Sequence, residues 1–200
     1  MPETLKNVII GTALTEVSDG VVRSGAAIAR AAGASPWLVH GYLPPALPPE
    51  AGPVDGLLIE RQIVELRAAL AQQAERTGLA DLPGFKADQI RPLMGSPARE
   101  IVDLARQVRA DLIVVGAADG GALHHLVLGS TANGVLRRAP CPVLVLRSES
   151  AFPPTRVEIA VDLSPISAYA CRRGLSFLAD LGVPLAETEV LFVLSQFEAA

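Results

Sequence analysis

The sequence predicts an α/β layer fold built on a parallel sheet. Short, almost continuous apolar runs recur along the chain, among them Val8-Ile9-Ile10-Gly11, Leu112-Ile113-Val114-Val115 and Val143-Leu144-Val145-Leu146. Runs of that length without polar alternation belong to strands covered on both faces. Between them lie longer segments whose apolar residues recur at helical spacing. Strand and helix alternate throughout, which calls for crossover connections and parallel pairing.

The elements follow in order. Val8 to Gly11 is the first strand. Thr15 or Ser18 can cap the next helix, and Gly33 stands where a left-handed C-terminal residue is needed. Trp37 to His40 is the second strand. The stretch "LPPALPPEAGP", Leu43 to Pro53, holds five prolines and a glycine and is a loop. From Leu57 to about Arg76 the spacing of Leu58, Ile63, Leu66 and Leu70 is helical. Lys86 to Leu93 is the expected third strand. Ser96-Pro97 reads as an N-cap with proline at the first helical position, and Ile101, Leu104, Ala105 and Val108 form the buried stripe behind it. Asp111 to Val115 is the fourth strand, Ser130 to Arg138 a short helix stopped by Pro140 and Pro142, and Val143 to Leu146 the fifth strand.

With 200 residues, 50% of them hydrophobic and 19% charged, the chain can bury a sizeable core and is not disordered. A net charge of −4 argues against nucleic acid or an anionic membrane as partner. Two cysteines, Cys141 and Cys171, make no disulfide framework, and a reducing cytosol fits them best. No signal peptide and no transmembrane run is read, so a cytoplasmic location is expected.

The chain also repeats itself. Without gaps, Val8, Ile10, Leu14, Ser18, Arg23, Gly25 and Gly33 match Val157, Ile159, Leu163, Ser167, Arg172, Gly174 and Gly182. The expected organisation is a domain over 1–147, a linker over 148–155 containing Pro153-Pro154, and a partial second copy over 156–200 that supplies strand, helix and strand, the last from Glu189 to Leu194.

Three stretches carry a family resemblance: "GSPAREIVDLARQVRADLIVVGA", then "LVLGSTANGVLRRAPCPVLVLR", and "VDLSPIS" in the second copy. On these, residues 5–147 resemble a universal stress protein domain. The family pattern after the fourth strand is Gly, two residues, Gly, nine residues, Gly, then Ser or Thr; here it reads Gly116, Ala117, Ala118, Asp119, nine residues, Gly129, Ser130. The resemblance implies a Rossmann-like five-stranded sheet of order 3-2-1-4-5 with helices on both faces, frequent dimers or tandem copies, and ATP or AMP binding in many but not all members.

The pattern has a physical rationale. Glycines let backbone N–H groups approach phosphate oxygens without a Cβ in the way, and Gly129-Ser130-Thr131 opens a helix. The nucleotide-binding residues expected on these grounds are Thr12, Ala13, Gly41, Gly116, Asp119, Gly129, Ser130 and Thr131. Three positions depart from the family. Asp119 replaces the second glycine, and a carboxylate about 5 Å from a phosphate charge costs roughly 3 kcal/mol at an effective dielectric of about 20. Two arrangements relieve it: the loop turns Asp119 outward on Gly120-Gly121, or Asp119 ligates a Mg²⁺ that bridges to the phosphate. Ala13 stands where nucleotide-binding members carry an Asp, which the repeat keeps as Asp162. His40-Gly41 ends the second strand where the family often has a Val beside the base.

Adjacent His124 and His125 diverge on any regular backbone and do not chelate one metal ion. Cys141, between two prolines, and Cys171, within the second-copy helix, read as packing residues. No Ser, His and Asp set reads as a catalytic triad, so no catalytic residue is assigned. Three functions remain open: a nucleotide sensor or adaptor, a family member that acts by protein contacts without tight nucleotide binding, and a nucleotide-dependent α/β enzyme such as an ATP pyrophosphatase. The last lacks a phosphate loop after the first strand, where "GTALTEVSDG" stands. In the family order the fifth strand is an edge, and an apolar edge recruits another strand. A homodimer through Val143–Leu146 is therefore expected, the edge being left without a pairing strand from the partial copy.

Overall fold

The computed structural model of the chain describes residues 5–44, 56–117, 128–147, 152–183 and 188–192. The chain divides into two compact units, one over Leu5–Ser150 and one formed mainly by Ala151–Ala200.

In the first unit, β1 (Asn7–Gly11), β2 (Ser35–Tyr42), β3 (Ile90–Met94), β4 (Leu112–Gly116) and β5 (Val143–Leu146) form one sheet in the order β3-β2-β1-β4-β5. Every pairing is parallel, with Ile10 opposite Leu38 on one side and Val114 on the other. Helices α1 (Asp19–Ala32), α2 (Gly56–Arg76), α3 (Pro97–Val108) and α4 (Ser130–Leu136) supply the crossovers. Val8, Ile9 and Ile10 of β1 are wholly buried, as a central strand covered on both faces must be.

Alternation along β1 assigns the faces. A Cβ on Gly25 of α1 would stand 2.8 Å from Ile10, so α1 lies directly on that face. Ile9 points to the other face, into a core of Val39, Ile101, Leu104, Ile113, Ala132 and Val135 drawn from β2, α3, β4 and α4. Cys141 packs at the border of this core, as expected of a small apolar residue. Burial, together with the negative charge of Asp111, pushes its thiol up to about 11.

Gly33 closes α1 in the left-handed conformation at φ 63°, and Ser96 precedes α3 with Pro97 at its start, both as expected. Three elements depart from expectation. β2 begins two residues earlier and ends two later than Trp37–His40, because its ladders with β1 and β3 extend it at both ends. The strand expected from Lys86 starts only at Ile90: Ala87–Gln89 form a 3-10 turn, closed by the Gln89 side chain accepting from the Lys86 N–H at 2.7 Å. In α2 the buried residues are Leu70, Gln73 and Ala74, while Leu58, placed by spacing in the apolar stripe, is exposed. Residues 45–53 of the proline-rich stretch lie outside the described residues.

The second unit contains β6 (Val157–Val161), α5 (Pro165–Asp180) and β7 (Thr188–Phe192), with β6 and β7 paired in parallel. Gly174 of α5 faces Ile159. Glu158, at the position that matches Ile9, is exposed, and Arg156 bonds both Glu158 and Glu189.

Gly41 is where packing leaves least room. A Cβ there would lie 2.4 Å from the Cα of Pro97, and backbone cannot step aside as a side chain can. Gly41→Ala is therefore expected to lower stability by about 1–3 kcal/mol in urea unfolding. An unchanged midpoint would show that α3 is free to shift.

Candidate functional site

A cleft of about 320 Å³ opens at the carboxyl ends of β1, β2 and β4. This is the point at which the strand order reverses, where open α/β sheets leave room for a ligand. Thr12, Ala13, Gly41, Gly116, Gly129, Ser130 and Thr131, all expected from sequence, line it together. Asp119 lies outside the described residues, as do His124 and His125.

The floor is a tight turn after β1. Leu14 takes φ 59°, unusual for a branched residue, and its N–H donates to Thr12 Oγ1 at 3.1 Å. Ser18 holds the turn closed. Its hydroxyl donates to the Thr15 carbonyl at 2.7 Å, accepts from the Thr15 N–H at 3.1 Å, and meets Thr12 Oγ1 at 2.8 Å. Because Ser18 directs its one hydrogen to Thr15, the Thr12 hydroxyl is the donor of that last pair. Thr12 thus shapes the floor with its hydroxyl hydrogen already engaged. Ser18, expected as a helix cap, makes no side-chain capping bond; its hydroxyl is the hub of the turn instead.

The network continues away from the cleft. Gln73 Nε2 donates to Ser18 Oγ at 3.2 Å and to Asp19 Oδ1 at 2.7 Å. Arg76 grips the same carboxylate through Nε at 2.7 Å and a terminal nitrogen at 2.9 Å. Burial opposes ionisation of Asp19. The hydrogen bonds from Arg76 and Gln73, with the charges of Arg76 and Arg23, outweigh it and hold the carboxyl below its ordinary value. The end of α2 is thereby tied to the start of α1.

On the β2 side, His40 lines the cleft and its Nδ1 donates to the Thr12 carbonyl at 2.9 Å. His40 is the one ionisable side chain among the described lining residues, and no Lys or Arg joins it. Pro97 and Ile101 of α3, Val115 of β4 and Val17 and Val21 beside the turn make the rest of the wall largely apolar.

On the β4 side, Gly116 has space around it. A Cβ there would meet only Val21, at an ordinary 3.5 Å. Gly129 precedes α4 at φ −57°, ψ 154°, a conformation open to any residue. Neither backbone conformation demands glycine, and at Gly116 packing does not demand it either; the Ala117 N–H after Gly116 is bonded to the Leu146 carbonyl at 2.7 Å.

The sequence reading missed Ser18 and His40 as lining residues. Both were legible as residues flanking strand ends, since a cleft at the switch point must be walled by whatever follows β1 and ends β2. Among the described residues no group of three or more His, Cys, Asp or Glu gathers to hold a metal ion. No helix among them is long and apolar enough to cross a membrane.

Because the folded Asp19 carboxyl titrates below its unfolded value, its bonds contribute fully above the ordinary carboxylate range, about pH 4. The contribution fades as pH falls through the folded value. Asp19→Asn is expected to cost roughly 1–3 kcal/mol at neutral pH, since the Arg76 side of the pair is partly exposed. Urea unfolding should show the gap between variant and wild type closing in acid, and a gap constant with pH would show that the ion pair is not its source.

A family model described as the universal stress protein family matches residues 4–147. A universal stress protein of Thermus aquaticus is 36% identical over 135 residues, covering 65% of this chain and 92% of that protein. One from Mycolicibacterium smegmatis is 29% identical over 188 residues, covering 92% of this chain and 63% of that protein. This chain thus spans less than two thirds of the smegmatis relative, and 32% of a relative from Methanocaldococcus jannaschii. Among solved structures, a universal stress protein in complex with cAMP matches with a TM-score of 0.54 at 26% identity, covering 74% of this chain and 100% of that one.

Proposed function

The chain belongs to the universal stress protein family, and from that premise we propose that its cleft binds an adenine nucleotide, ATP or AMP, and that occupancy sets what the protein offers to its partners. The observation that carries this reading is the convergence of Thr12, Ala13, Gly41, Gly116, Gly129, Ser130 and Thr131 on one cleft at the switch point of the sheet. The cAMP complex of a relative with the same fold supports it.

In this reading the phosphates lie beside Gly116, Gly129 and Ser130, where the peptide N–H groups after Gly129 and the Ser130 and Thr131 hydroxyls replace a cationic side chain. Neutral donors hold a phosphate less strongly than Lys or Arg. Affinity is accordingly modest, and a Mg²⁺ that neutralises phosphate charge raises it, through Asp119 if that carboxylate turns inward. The protein works in the cytoplasm as a sensor or adaptor.

Residues 156–200 are the beginning of a second copy of the domain. Two equivalent turns support this. Leu163 takes φ 60° where Leu14 takes 59°, and Gly182 takes 68° where Gly33 takes 63°. Ser167 donates to the Ser164 carbonyl as Ser18 does to Thr15, and the Ser167 and Ser18 N–H groups donate to the Ser164 and Thr15 hydroxyls. Asp162, in the place of Ala13, accepts from the Ser164 N–H at 2.9 Å. Bonds from Ser164 and Ser167 hold its carboxyl down to about 2.

Isothermal titration with ATP and AMP, with and without Mg²⁺, tests the reading. Saturable heat is expected for at least one nucleotide, strengthened by Mg²⁺. Gly116→Ala should weaken binding at least about fivefold while the melting temperature stays put, because the added methyl enters the cleft without a clash. Two titrations without heat would leave the adaptor that acts by protein contacts alone.

We propose further that two chains pair through β5, the edge strand of the first unit. Wild type should scatter light as a dimer at micromolar concentration and Leu144→Lys as a monomer. A monomeric wild type, or a dimer indifferent to the substitution, would remove the edge pairing.

A further inference from the structure

We propose that the open edge of β6 docks a second copy of this chain, whose own β6 adds antiparallel about a two-fold axis at Ile159. β1 is bonded to β2 on one edge and to β4 on the other, whereas β6 is bonded to β7 alone among the described residues. A strand edge with unpaired N–H and C=O groups is a template for another strand.

The first unit shows what such an edge presents. The Asn7 carbonyl accepts from the Asp111 N–H ahead of β4, so Asn7, Ile9 and Gly11 turn their peptide groups toward that side. On the proposed equivalence of β6 with β1, the matching residues are Arg156, Glu158 and Ala160. Beside the same edge, Val17 and Val21 of α1 line the cleft with Gly116 of β4. Their matches on α5 are Ile166, which is 80% exposed, and Ala170, also exposed. The open edge of β6 is thus flanked by apolar surface that an added strand and its helix would cover.

Charge and overlap select the partner and the register. Arg156, Glu158, Ala160 and Asp162 alternate onto the exposed face, while Ile159 faces Gly174 of α5. With both α5 helices on one face, a two-fold axis must cross the strand at a residue and not between two. At Ile159 it keeps all of Val157–Val161 in the ladder and sets Arg156 opposite Asp162 twice, with Glu158 opposite Ala160. At Glu158 it would set that carboxylate against its own copy, and at Ala160 it would set Glu158 against Asp162. At Val157 or Val161 the ladder would run past Pro154 or past Leu163, which leaves the strand at φ 60°. Arg156 holds Glu158 and Glu189 through one terminal nitrogen, and its guanidinium carries further N–H donors for Asp162. The strand is therefore complementary to itself, as a two-fold interface requires. Only one face of β6 is covered, so the pairing buries little apolar surface and forms at higher concentration than the β5 contact.

The test is disulfide trapping with oxidised glutathione, at about 100 µM, in the full chain carrying Leu144→Lys to take β5 out of play and Cys171→Ser. Residues facing each other on the axis bring their Cβ atoms to about 4.5–5.5 Å, a small adjustment from disulfide geometry. Ile159→Cys should form a covalent dimer at least about tenfold faster than Glu158→Cys, whose copies lie about 7–8 Å apart on the diagonal. Random collision would give the opposite order, because Glu158 is the more exposed of the two. Glu158→Cys mixed with Ala160→Cys should yield the mixed dimer in preference to either homodimer. Adding Arg156→Glu to Ile159→Cys should slow trapping, and adding Asp162→Lys to that pair should restore it. If the charge reversals do not fold, the cysteine rates decide. No dimer from Ile159→Cys, or trapping no faster there than at Glu158→Cys, would overturn the pairing.

Discussion

β1 is hydrogen-bonded along both edges and covered on both faces, and the rest of the first unit is arranged around that double confinement. A parallel strand with β2 on one side and β4 on the other forces the chain to leave it in one direction and return in the other. The cleft is the gap where the two halves part. Ile9 and Ile10 anchor the two helical layers on opposite sides, and Gly25 lets α1 approach the second of them closely. A larger residue in place of Gly25 would lift α1 away from the strand whose end forms the cleft floor.

The turn after β1 links that confinement to the site. Thr12, Thr15 and Ser18 satisfy one another with hydroxyl and backbone groups, and Leu14 accepts a left-handed backbone to close the circuit. Gln73 and the Asp19–Arg76 pair brace it from outside. Each group in the chain has a partner on at least one side, though Gln73 Oε1 is left buried without one. Buried polar networks of this kind fix a single geometry because partial satisfaction is costly.

Much of this was legible in the sequence where the information is local. The apolar run Val143–Leu146 matches β5 residue for residue, Gly33 closes α1, and Ser96-Pro97 marks the start of α3, though the Ser96 side chain makes no capping bond. The glycines and hydroxyls of the cleft were legible as a set because the spacing from Gly116 to Gly129-Ser130 carries the family pattern. What the sequence did not disclose depends on distant partners. Nothing near Ser18 announces that its hydroxyl faces Thr12 and Gln73, and nothing near Lys86 announces that the Gln89 amide, bonded also to Ser35, holds the chain in a 3-10 turn. Leu58 has the right spacing for burial yet stays exposed, since periodicity names a face of a helix and not the length over which that face is covered.

The elevated Cys141 thiol has a chemical consequence. Peroxides attack the thiolate and not the thiol, so the rate of oxidation follows the ionised fraction. With the thiol pushed up to about 11, that fraction at neutral pH is on the order of one molecule in a thousand or fewer. Cys141 borders the core beneath α3 and α4, where a sulfenic or sulfinic oxygen would have to be accommodated among apolar side chains. Burial and the nearby Asp111 charge together hold this sulfur in the thiol form, the less reactive one toward peroxides.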